Sequence, residues 1–146
     1  MNIILRPATA NDAAAIRSLI HTVGINPMSL NWQRFVIATN DAGEMLGCGQ
    51  IKPHGDGTHE LASIAVWPQF QSQGVGRAII QHLLASAQPP LYLTCRAALR
   101  PYYERFDFHA LDIKHMPPYF RRLWRIAQMV RKLIPRMGSM QIMRRD

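Results

Sequence analysis

Apolar residues recur along this chain at two spacings, and the switches between them outline its elements. Ile3-Ile4-Leu5 opens as a short strand, and Asp12 to His21 carries apolar residues at helical spacing, with a cap near Asn11 or Asp12. Gly24, Asn26-Pro27 and Ser29 break any period between Val23 and Asn31, which reads as a loop. Trp32 to Thr39 and Glu44 to Lys52 predict a hairpin about Asn40-Asp41-Ala42-Gly43. After a turn over Pro53 to Gly57, Glu60 to Trp67 is a strand stopped by Pro68, and Val75 to Ala87 returns to helical spacing. Leu91 to Cys95 follows Pro89-Pro90 as a strand, Leu99 to Arg105 as a short helix, and Phe108 to Lys114 as another strand. Pro117-Pro118 then open a long amphipathic helix that runs to Ile134, with Phe120, Leu123, Trp124, Ala127, Val130 and Ile134 along one side. Pro135 and Gly138 close it, and Met140 to Arg144 is a final strand. Hairpins mixed with crossover helices predict an α+β fold, a mixed α/β sheet with helices on both faces.

Composition narrows the class. A chain of 146 residues with 48% hydrophobic content and no low-complexity run fits a single domain over residues 1–146 with a core of its own. Its apolar runs are short and interrupted by charge, and Met1-Asn2-Ile3 leads straight into a strand, so a cytoplasmic location is expected. Cys48 and Cys95 fall inside predicted strands and read as small buried apolar residues. Neither they nor the six scattered histidines show metal-ligand spacing, so no metal is expected.

Charge divides the chain. Residues 1–95 hold five basic and five acidic side chains, so the net charge of +8 lies entirely in residues 96–146. The helix from Pro118 to Ile134 carries Arg121, Arg122, Arg125, Arg131 and Lys132 beside its apolar stripe. The reading preferred here is a helix docked on its own domain; an anionic partner, lipid surface or nucleic acid is the alternative.

The chemistry starts at Gln71-Ser72-Gln73-Gly74-Val75-Gly76-Arg77, which joins the Glu60 strand to the Val75 helix. A strand, a glycine turn and a helix start make a phosphate cradle. Gly74 and Gly76 let the main chain approach an anion, and the free amides of the first helical turn point at it with the helix dipole behind them. The spacing is neither that of the nucleotide P-loop nor Gly-x-Gly-x-x-Gly.

Val66, four residues, then Gln71-x-x-Gly74-x-Gly76 resembles the acetyl-CoA pyrophosphate motif of the GNAT acetyltransferase superfamily. The opening Ile3-Ile4-Leu5-Arg6-Pro7 resembles that family's first strand. Pro101-Tyr102-Tyr103-Glu104-Arg105-Phe106-Asp107-Phe108 resembles its late Phe-Tyr-Glu-Lys-x-Gly-Phe signature, with Asp107 where the family has Gly. An Asp can still take a left-handed helix end. The likeness covers about residues 3–115 and leaves the basic helix and last strand, about 117–146, as an addition before the sheet closes.

The resemblance implies acetyl-CoA as co-substrate, held by Gln71, Ser72, Gln73, Gly74, Val75, Gly76 and Arg77, with main-chain amides of Ile64 and Val66 polarising the thioester. It implies direct transfer to a primary amine with no covalent enzyme intermediate. Such a transfer needs a neutral amine and a protonated leaving sulfur. Glu60, six residues before Val66, matches the general base of several family members and shares a strand face with Ala62, Ile64 and Val66. Tyr103, in the register of the motif's Tyr, is the expected acid, since a phenol stays protonated at neutral pH. His59 is the histidine expected beside the site. The acceptor, a small molecule or peptide, is expected against Asn26, Ser29, Asn31, Trp32 and Tyr119, and a homodimer is open. The competing readings are an inactive CoA-binding module and a basic nucleic-acid or membrane-surface protein.

Overall fold

A computed structural model describes residues 1–146 and shows a mixed α+β fold of seven strands and four helices. The chain forms two compact units, one of residues 1–52 and 61–87, the other of residues 53–60 and 88–146.

In the first unit, β1 (Ile4–Pro7), β2 (Phe35–Thr39) and β3 (Met45–Pro53) are successive antiparallel neighbours, and most of β4 (His59–Val66) follows. Helix α1 (Ala13–Val23) presents Ile16, Leu19 and Ile20, all buried, to Phe35, Ile37, Cys48 and Ala65. Each fully buried aliphatic side chain contributes roughly 1.5–3 kcal/mol. The helix runs two residues past the expected His21, because Gly24 is the stop signal: it takes φ +75° and returns its N–H to the carbonyls of Ile20 and His21. At the other end a short turn precedes it. Asp12 accepts the Thr9 N–H at 2.7 Å and holds the Arg6 guanidinium at 2.8 and 2.9 Å, which draws the Asp12 carboxyl down to about 2.

Helix α2 (Val75–Ser86) lies on the opposite sheet face. In β3, Cys48 turns to the α1 cluster while Gly47 and Gly49 turn the other way. A Cβ on Gly49 would stand 2.6 Å from Ile64 and 2.7 Å from Ile79, so a glycine here is what lets α2 close on the strand. The predicted hairpin is present, but Trp32–Arg34 is a tight turn rather than strand, because the Asn31 side chain accepts the Gln33 N–H and caps it.

In the second unit, β5 (Leu91–Arg96) and β6 (His109–Ala110) both pair antiparallel with β7 (Met140–Arg145). Glu60 pairs in parallel with Tyr92. Helix α3 (Arg100–Glu104) precedes β6, and Asp107 takes φ +67°, the left-handed end expected of it. The predicted strand over Phe108 to Lys114 shrinks to two residues: Asp112 accepts the Ile113 N–H and starts a turn over Ile113–His115.

Helix α4 (Pro118–Leu133) docks through buried Phe120, which joins Tyr92, Met116 and Ile142 in a core with Trp124 and Met140 packed on it. Ile134 leaves the stripe expected of it. It precedes Pro135, which pushes it out of the helical region to φ −131°, and it is 42% exposed. Ile126, Met129 and Leu133 are also exposed, between the basic side chains of the outer face. No helix is long and apolar enough to cross a membrane.

Candidate active site

The turn ahead of α2 is built by backbone. Ser72 and Gly74 both take left-handed conformations, at φ +63° and +85°. Gln71 donates its side-chain amide to the Val66 carbonyl at 3.2 Å, and Gln73 donates to that of Gln69, which pins the turn to the residues leaving β4. Gly74 is the N-cap and, having no side chain, offers no capping acceptor to the amides of Val75, Gly76 and Arg77. A Cβ on Gly74 would meet nothing within 4 Å, so the turn is open on the side where a side chain at this position would lie. The turn is exposed, Val75 alone being buried as the anchor of the helix.

Within β4 itself Ser63 takes φ +58°, a left-handed residue inside a strand. Its hydroxyl accepts the Gln50 side-chain amide at 2.9 Å. This break corrects the expected alternation: Ala62 comes before it, two residues from Glu60, but Ile64 and Val66 come after it, so the expected single face over Glu60, Ala62, Ile64 and Val66 is interrupted at Ser63. Ile64 and Val66, beyond the break, are half-buried.

Glu60 is the centre of a side-chain cluster in the second unit. Its Oε1 lies 2.7 Å from His54 Nε2, with the two side chains 7% and 8% exposed. The Thr94 hydroxyl donates to Oε2 at 3.4 Å. The His54 ring stacks on Tyr119 at 3.6 Å between centroids and meets Phe120 edge-on. Asp56 accepts the Tyr119 N–H and both donors of Thr58. Burial works to raise its carboxyl, but those hydrogen bonds and nearby His54 carry it below the usual range. Burial, with Glu60 and Asp56 nearby, pushes the Tyr119 phenol up.

His59, the histidine expected here, is exposed, one residue from Glu60 and so on the opposite strand face. His54 is the partner. It returns to Glu60 through a turn closed by its own N–H on the Thr58 carbonyl, and the Asp-Gly-Thr sequence of that turn was the signal available.

Tyr103 is half-buried on α3, edge-on to Tyr102 and Phe108. Burial, reinforced by Tyr102 and Cys95, pushes its phenol well above the usual value, so it holds its proton throughout the neutral range. Tyr119 alone of the expected acceptor residues joins the Glu60 cluster. Asn26 and Asn31 spend their side-chain oxygens on the N–H groups of Met28 and Gln33, Trp32 packs on the α1 core, and Ser29 gives its carbonyl to Gln50. Sequence reasoning passed over Gln50 and Lys52, which are buried under this loop; Lys52 donates to the Met28 carbonyl at 3.4 Å.

The family model for the acetyltransferase (GNAT) domain matches residues 31–110. Solved structures repeat the fold. The N-acetylglutamate synthase from Neisseria gonorrhoeae, complexed with coenzyme A and N-acetyl-glutamate, is 19% identical with a TM-score of 0.77 over 99% of this chain. This chain spans 35% of the length of that synthase. Rv2747 from Mycobacterium tuberculosis, in complex with CoA and NLQ, is 21% identical with a TM-score of 0.74, and the match covers 97% of this chain and 98% of that one. Escherichia coli ElaA is 14% identical with a TM-score of 0.70, covering 99% of this chain and all of its own (100%). At these identities the likeness is one of fold.

Proposed function

Because this chain belongs to the acetyltransferase (GNAT) domain family, we propose that it is an N-acetyltransferase that moves the acetyl group of acetyl-CoA directly to a primary amine. The observation that carries this reading is the turn before α2. Two left-handed residues, an N-cap without a side-chain acceptor and open space at Gly74 suit a pyrophosphate held by main-chain amides. Gln71 to Arg77 would hold the co-substrate, with the strand amides of Ile64 and Val66 beside the left-handed Ser63 as donors to the carbonyl. Acetyl-CoA supplies the thioester.

Glu60 is assigned the base. A carboxylate only accepts hydrogen bonds, so His54 Nε2 carries the hydrogen of the 2.7 Å contact, and with Thr94 it fixes the carboxylate in place. His54 is thereby a positioning residue. Tyr103, by its place in the Tyr-Tyr-Glu motif, is assigned the acid, and burial keeps its phenol protonated until the sulfur departs. An N–C bond forms at the acceptor nitrogen and the thioester C–S bond breaks. Glu60 takes the ammonium proton, Tyr103 gives one to the departing sulfur, and the second proton that the nitrogen sheds on becoming an amide restores the Tyr103 phenol. A panel of amines assayed for acetyl-CoA-dependent thiol release tests the reading. Release with at least one primary amine, lost in Glu60→Gln, is expected; none with any amine, or release that survives Glu60→Gln unchanged, would overturn it.

A further inference from the structure

A cavity of about 280 Å³ opens in the second unit between the end of β5, the second half of α4 and the segment leading into β7. Ala127, Val130 and Met140 give it apolar walls, and Thr94, Arg96 and Arg131 give it polar ones. Taking the ~30 Å³ share of a water as one heavy atom, it has room for about ten non-hydrogen atoms.

Two features define what fits. The Thr94 hydroxyl, on its wall, is bonded to Glu60. Arg96 and Arg131 are both exposed, and neither enters an ion pair, whereas Arg6, Arg100 and Arg144 each meet an acid. None of the residues that line the cavity is an Asp or Glu; the nearest carboxylate described is Glu60, which Thr94 already engages. A cationic ligand such as a polyamine would meet like charge here. An anion of small size would find two guanidiniums and an apolar slot.

We propose that this cavity is the acceptor site and that it selects a small primary amine carrying a carboxylate, the arginines holding the carboxylate and the chain lying along Ala127, Val130 and Met140. The inference rests on the acetyl-transfer reading above. It moves the acceptor away from Asn26, Asn31 and Trp32, whose side chains are committed to local turns and the core.

The test compares 5-aminopentanoate with pentylamine, which differ only in the carboxylate, in wild type and in the double variant Arg96→Gln with Arg131→Gln. Wild type should favour 5-aminopentanoate in kcat/KM by tenfold or more, and the double variant should bring that ratio toward one, through KM rather than kcat. A wild-type ratio near one, or a ratio the variant leaves unmoved, would overturn the proposal. Calorimetric binding of glutarate, which has no amine to acetylate, separates the two readings. Glutarate bound by wild type and lost in the variant upholds the anion site even if no amine is acetylated. Thiol release with neutral amines and no glutarate binding would leave acetyl transfer standing and remove this site.

Discussion

The turn before α2 and the cluster around Glu60 are built in opposite ways. Gln71 to Arg77 is contiguous, and its proposed role uses main-chain amides, so its form follows from local backbone chemistry: Ser72 and Gly74 at positive φ and a helix starting at Val75. Glu60 works through side chains that arrive from far along the chain: His54 across a turn, Thr94 from β5, Tyr119 from α4. A backbone site survives most side-chain changes and is broken by adding bulk or charge. A side-chain cluster fails when any partner is truncated, because the others are left buried and unsatisfied.

The sharpest way to break the cluster is at its centre. Glu60→Gln should lower turnover by about 100-fold or more, since the amide cannot accept the proton that a base must take. Tyr103→Phe should cost a similar factor in kcat and leave acetyl-CoA affinity nearly intact. Steady-state kinetics check both; full turnover in either variant would return that residue to a structural role.

His54→Ala should lower kcat by about tenfold, the low end for loss of an orienting partner, and leave acetyl-CoA affinity nearly intact. His54→Gln, which can still donate to Oε1, should recover part of the loss. Unchanged kcat in His54→Ala would mean that the ring only packs against Tyr119 and Phe120.

These two regions were unequally legible in the sequence, and the reason is physical. The turn, the helix after it and the left-handed Asp107 depend on neighbours in sequence, and the structure has them where residue type placed them. Glu60 is proposed from its offset from Val66, which rests on the family resemblance. Its partners were not legible, because topology brings them together: His59, adjacent in sequence, is turned away by strand alternation, while His54 is brought back by the Asp56–Thr58 turn. Helical spacing likewise marked Phe120 and Trp124 as the docking face of α4 but could not show that Pro135 would release Ile134.

Smaller effects mark what lies outside both regions. The Asp12 carboxyl sits at about 2 in the folded chain against 3.8 as its ordinary value, so its bond to Arg6 stabilises the fold above about 3.8 and is lost as pH falls through about 2. Arg6 is 38% exposed, and solvent screening holds the contribution to about 1 kcal/mol. Asp12→Asn should therefore flatten the acid limb of thermal stability; an unaltered limb would refute the linkage. Smaller still, Arg122→Glu with Arg125→Glu, both exposed on α4, should change stability by about 0.5 kcal/mol or less and leave acetyl transfer nearly intact. Salt-sensitive binding of RNA or anionic liposomes by the parent, lost in this pair, would instead make α4 a binding surface.

Calorimetric titration of CoA into wild type and Gly74→Asp tests the central claim most directly. Position 74 has open space for the side chain, and Asp tolerates its left-handed backbone, so the variant should fold while setting a carboxylate before the helix amides. The account predicts saturable binding to wild type and none to Gly74→Asp. Equal binding by both proteins, or no binding by wild type, would contradict it.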